Sequence, residues 1–114
     1  MASFEDLHVW KRAVALSAEL YRELHDLRDY GFRDQITRAG LSVASNNAEG
    51  MERETKADKA RLLTIARGSC GELRTQVYIG REIGYISEAT GNRWAQEAKE
   101  ISAMLVGLSR SIKE

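Results

Sequence analysis

The chain has 114 residues, enough to bury one core, so a single domain spanning residues 1–114 is expected. Apolar residues make up 43% and charged residues 30%, and 17 basic side chains balance 17 acidic ones, which excludes a bulk pull toward nucleic acid or anionic membrane. The lone Cys70 excludes an internal disulfide. No uncharged apolar run approaches the roughly 18–20 residues of a membrane span, and the first residues, MASFEDLHVWK, lack the basic-then-apolar order of a secretory leader. A cytoplasmic protein with no membrane partner is expected.

There is no proline, so nothing interrupts long helices. The first helix is predicted over residues 4–27, with Ser3 as N-cap and Glu5 and Asp6 favourably placed in the first turn. Leu7, Trp10, Val14, Tyr21 and Leu24 give its inner stripe, widened by Leu16, Leu20 and Leu27. Asp29-Tyr30-Gly31 reads as a turn in which Gly31 takes positive φ. A second helix follows from residue 32 or 33 to Glu49, with Gly50 as its C′ residue. Its inner stripe is thin: Ile36, Ala39, Val43 and Asn47. Gly40, Ser42, Ala44, Ser45 and Ala48 are all small.

Thr55 and Asp58 resemble a capping box for a third helix over residues 56–83. Its inner face comprises Leu62, Ile65, Ala66, Ser69, Leu73, Val77 and Ile83. Gly68 and Gly71 sit inside it at about 1 kcal/mol each relative to alanine. Gly84-Tyr85-Ile86 ends that helix, and Ser87 caps a fourth over residues 88–112. There Trp94, Ala98, Ile101, Leu105, Leu108 and Ile112 alternate steps of four and three. The fold class is all-α, an up-down-up-down antiparallel four-helix bundle.

A short connection between the second and third helices places residues at equal distance from it side by side. Partners should have numbers summing to about 106, with the connection taken as residues 51–55. Ala39 and Gly40 then lie level with Arg67 and Gly68, a contact close enough to offset the glycine cost. Arg38 falls within a turn of Glu72, which predicts a half-buried salt bridge assisted by Ser42 or Ser69. At the loop end, Asn46 and Glu49 fall near Arg53, Lys56 and Arg61.

FEDLHVWKRA, QITRAGLSVASNNAEGMER, LLTIARGSCGEL and EISAMLVGLSRSI together resemble a bacterial four-helix-bundle family. That family includes the proteins encoded within intervening sequences of 23S ribosomal RNA genes. The resemblance covers nearly the whole chain, and the AEG and ARGS segments are its most specific part. It implies a homo-oligomer, a pentameric ring, of unassigned activity. A related bundle, the accessory variability determinant protein of diversity-generating retroelements, partners a reverse transcriptase and binds nucleic acid through a strongly basic surface. Arg38, Ser42, Asn46, Glu49, Gly50, Arg67, Gly68, Ser69 and Glu72 match the family pattern. Asn47 departs from it, standing where the family has an apolar residue, and the neutral charge departs from the basic accessory proteins.

Three constellations suggest chemistry. Glu5-x-x-His8 is half of a di-iron bundle's pair of such motifs, but Arg22 precedes His25 at the same spacing, so no metal or other cofactor is expected. Cys70 has no base near it in sequence and reads as a small core residue. Asn46-Asn47 and Glu49 have no nucleophile or phosphate loop beside them and read as carboxamides satisfying terminal carbonyls around Gly50. No enzyme is expected.

Arg67, Arg74 and Arg81 recur every seven residues with Tyr78 beside them, on a segment (residues 55–86) holding six basic side chains and three acidic. That stripe suits phosphates and stacked bases, or simply a solvated face. The reading is a non-enzymatic self-associating scaffold whose contact surface comprises Val9, Leu41, Met51, Tyr78 and Ile79. The alternative is an accessory module that binds RNA or DNA, or a nucleic-acid enzyme, through the third helix.

Overall fold

Caps and turns fix where each helix begins and stops. The structure, a computed structural model, describes residues 3–114. Ser3 accepts from the Glu5 amide, but it caps only a 3-10 turn, Phe4–Asp6. Leu7 is extended, and α1 runs from His8 to Glu23, so the expected continuous first helix is broken near its start and ends earlier than residue 27. Asp29 caps α2, Tyr30–Glu52, by accepting from the Phe32 amide at 3.1 Å. This overturns two expectations. Gly31 lies inside α2 without positive φ, and Gly50 is a helix-interior residue rather than a C′ glycine.

Thr55 accepts from the Asp58 amide at 3.1 Å and starts α3, Lys56–Glu82. Gly84, at φ 80°, ends α3: the Gly84 amide reaches Arg81 O and the Tyr85 amide reaches Gly80 O at 2.8 Å. These two bonds make a Schellman motif, which satisfies the last carbonyls and needs the left-handed residue that glycine supplies. Ser87 accepts from the Thr90 amide and begins α4, Glu88–Lys113.

Each helix packs on the next, and α4 closes against α1, which gives the antiparallel up-down-up-down bundle, 44 Å long. Arg12 bonds Glu97 and Glu100 while Arg93 bonds Glu19, so numbers rise along α1 as they fall along α4. One apolar cluster runs the length of the bundle, and no described helix is long and apolar enough to cross a membrane.

The α4 stripe of Trp94, Ala98, Ile101 and Leu105 is buried as its spacing predicts. On α1 the buried row is Val9, Ala13, Leu16, Leu20 and Leu24, while Val14 and Tyr21 face outward. Val9 therefore leaves the expected contact surface and joins the core. Ile65 and Ile83 of α3 are also exposed, at 43% and 53%, not inner residues.

Glycine sets several close approaches. A Cβ at Gly40 would lie 2.5 Å from the Leu20 side chain of α1, one at Gly50 3.2 Å from Leu62, and one at Gly80 2.6 Å from Ile86. Gly68 and Gly71 meet nothing, so the expected α2–α3 contact at those two residues is absent. The register differs as well. The expected pairing puts Ser42 beside Thr64, but Ser42 meets Ser69, because α2 continues to Glu52 and the chain reverses later.

Asn47 is fully buried, and neither amide atom has a hydrogen-bond partner among the described residues. Such a group costs about 1–3 kcal/mol, and an apolar residue of similar shape removes that cost. Asn47→Leu should therefore raise unfolding free energy by about 1–2 kcal/mol and the melting temperature by several degrees. Thermal denaturation followed by circular dichroism checks this, and a lowered midpoint would contradict it.

Candidate functional site

Helix α3 is packed on both sides and presents two outer flanks. On the α2 side, helical spacing puts Arg38, Ser42, Ser45 and Glu49 along one line of α2 and Ile65, Ser69, Glu72 and Ile79 along one line of α3. Ser42 and Ser69 share a hydrogen bond of 2.8 Å between their hydroxyls. Asn46 Nδ2 donates to Ser42 Oγ and Ser42 O, both at 2.9 Å. Asn46 thus braces the α2–α3 seam and does not satisfy carbonyls at the helix end, since the helix continues past it. Glu49 pairs with Arg53 one turn later, as expected of the loop end.

Arg38 and Glu72 reach the same level of the seam but form no ion pair. Both are exposed, so water satisfies them, and Glu72 receives only a long bond, 3.4 Å, from Gln76. The predicted salt bridge is therefore not made within the protomer. Around these two charges Leu41, Ile65 and Ile79 are 47%, 43% and 48% exposed, and Gly68 stands open between them. Of the other expected contact residues, Met51 is half-buried, its carbonyl accepting from Lys59 Nζ at 2.9 Å, and Tyr78 lies on the opposite flank of α3. Gly50 points inward.

The opposite flank faces α4. Arg67 and Arg74 line a shallow recess of about 70 Å³ with Cys70, Gly71, Ala98 and Ser102. Further along, the Arg81 guanidinium lies 5.3 Å from the centre of the Tyr78 ring and bonds Asn92 Oδ1. The sequence-predicted Arg67, Arg74, Tyr78 and Arg81 thus lie together on one flank. Sequence reading missed Ser102, whose place is set by the step of four from the buried Ala98.

The remaining electrostatics are structural. Arg12 holds the Glu100 carboxyl below the usual carboxylate range, and Arg93 does the same for Glu19. A wider depression of about 290 Å³ between α1 and α2 is lined by Tyr21, His25, Arg33, Asp34 and Thr37. Its Thr37 hydroxyl donates to Arg33 O at 2.7 Å, so it is not poised as a nucleophile. Glu5 and His8 are separated by the extended Leu7 and do not share a helix face. Among the described residues no three His, Cys, Asp or Glu side chains are grouped as a metal would need.

Burial pushes the Cys70 thiol up to about 11, although Arg67 and Arg74 oppose the shift. The thiolate is the reactive form, so Cys70 should resist alkylation at about pH 8, where an ordinary cysteine, near 8.5, is partly ionised. A thiol-reagent assay in buffer and in denaturant tests this. Rapid modification of the folded chain would contradict it.

No curated protein matches the chain. A solved structure from Bacteroides thetaiotaomicron, described as a protein of unknown function from the S23 ribosomal protein family, is similar in fold. Its TM-score is 0.83 at 20% identity, over 89% of this chain and 97% of that one. Neither that description nor the family's assigns a catalytic activity. The family described as 23S rRNA-intervening sequence protein matches residues 5–107, and the chain belongs to that family of four-helix bundles.

Proposed function

We propose that this protein is a cytoplasmic, non-enzymatic scaffold that assembles with copies of itself, five being the number its sequence resemblance implies. One observation carries the reading. Leu41, Ile65 and Ile79 are exposed together around Arg38 and Glu72, a cation and an anion that no partner in the protomer neutralises. Apolar exposure of this kind marks contact surfaces, and a face carrying both signs is complementary to a second copy of itself. Gly68 adds support. It costs an exposed helix about 1 kcal/mol, and a side chain added there would meet nothing in its own chain, so a neighbour's close approach is a reason to have it there.

Mass measured by light scattering should exceed the 12.8 kDa of one chain. Leu41→Glu with Ile79→Glu should reduce it to one chain without loss of helical circular dichroism. A wild-type monomer at micromolar concentration ends the reading.

The second reading is an accessory module that binds RNA or DNA, alone or with a nucleic-acid enzyme. It is favoured because Arg67, Arg74 and Arg81 have no carboxylate within 4.0 Å among the described residues. A titration with labelled RNA at rising salt tests it. Affinity should fall linearly on a log–log plot, and absence of binding at low salt would exclude it.

A further inference from the structure

The second reading rests on α3 alone, but the groove beside Arg67, Arg74 and Arg81 has two walls. On α4, Lys99, Ser102, Val106, Arg110 and Lys113 recur in steps of three and four. That spacing puts them along one outer line of the helix. Ser102 fixes which line it is, because it lies in the recess with Arg67 and Arg74, and Asn92, bonded to Arg81, marks its far end. Lys99, Arg110 and Lys113 are exposed, and none has a carboxylate within 4.0 Å among the described residues.

Two of the acids of α4 lie elsewhere, while Glu88, four residues before Asn92, stands at the end of the same line. Glu97 and Glu100 are turned to α1, where Arg12 holds both. The balanced total charge of this chain is therefore spatially separated, with six unpaired cations along the α3–α4 groove.

We infer that this two-walled groove seats the phosphodiester backbone of a nucleic acid strand, with cations from both α3 and α4. This inference rests on the nucleic-acid reading above and gives it a site. Two spacings support it. Along α3 the cations recur every seven residues, about 10.5 Å apart, so successive arginines meet different phosphates. From Asn92 to Lys113 the α4 wall runs about 32 Å, long enough for several phosphates. The recess between Arg67 and Arg74 has the Ser102 hydroxyl beside it, donors that suit a phosphate group, and contacts to the backbone carry little sequence preference. The groove lies across α3 from the Leu41–Ile79 face and stays open if copies assemble there.

The experiment uses the full chain and a labelled unstructured RNA of about ten nucleotides, with DNA and duplex arms of equal length, titrated at several salt concentrations. Lys99→Gln, Arg110→Gln and Lys113→Gln are combined in one variant. A control variant removes the same charge from another face, through Lys11→Gln, Arg22→Gln and Arg28→Gln, all exposed positions. Circular dichroism establishes that both are folded.

The groove variant should bind about tenfold more weakly at low salt and lose about two units of log–log slope, at about 0.7 per phosphate contact on a single strand. The control should bind as the wild type does. Equal weakening by both variants would mean bulk charge only and would overturn the inference. If Arg67→Gln with Arg74→Gln weakens binding and the α4 variant does not, the inference fails and the α3 reading stands. No binding of any arm by the wild type at low salt would overturn both.

Discussion

The bundle depends on α3 packing against α2 on one side and α4 on the other. Its buried row, Leu63, Ala66, Cys70, Leu73 and Val77, mixes large and small side chains. Interdigitation of that kind lets two helices approach the same rod without voids. Everything functional about the surface follows from this placement. Because α3 is held on two sides, its remaining circumference divides into two flanks with different chemistry. The α2 flank is small, polar and aliphatic, with the Ser42–Ser69–Asn46 hydrogen bonds running along it. The α4 flank is basic, with Arg67, Arg74 and Arg81 at heptad spacing.

Glycine serves this architecture in different ways. Gly40, Gly50 and Gly80 each sit where a Cβ would meet a neighbouring side chain, so their cost in helix propensity is offset by closer packing. Gly84 supplies the left-handed residue that closes α3 and turns the chain into α4. Tyr85 then donates its hydroxyl to Asp29 at 2.9 Å and packs edge-on against Phe32, tying that turn to the start of α2. Gly68 and Gly71 have no such role inside the chain.

Charge is arranged by helix face. Of the four adjacent helix pairs α1 and α4 approach least closely, and their seam is closed by Arg12 with Glu97 and Glu100 and by Arg93 with Glu19. These pairs are partly exposed and individually contribute about 0–1 kcal/mol. Their larger consequence is positional, because they hold Glu97 and Glu100 on the α1 side of α4, away from Lys99, Arg110 and Lys113. A composition of zero net charge hides that separation.

The amino-acid sequence by itself determined the number of helices, their order, three of their caps and the inner stripe of α4. These depend on local signals: Ser or Thr before an acidic first turn, a glycine at a helix end, and apolar spacing strong enough to admit one phase. The phase of α1 was not legible, since Trp10, Val14 and Tyr21 repeat as regularly as Val9, Ala13 and Leu16. Only packing against α2 and α4 chose between the two rows. The α2–α3 register was equally undecided, because a helix end displaced by one turn moves every partner across the seam. Level-matching brought Arg38 near Glu72, but nothing in the spacing shows that both side chains reach water. The stripe of α3 was legible because one helix carries it. Its second wall on α4 was decided only by tertiary structure, since residues thirty or more positions apart become neighbours only when two antiparallel helices meet.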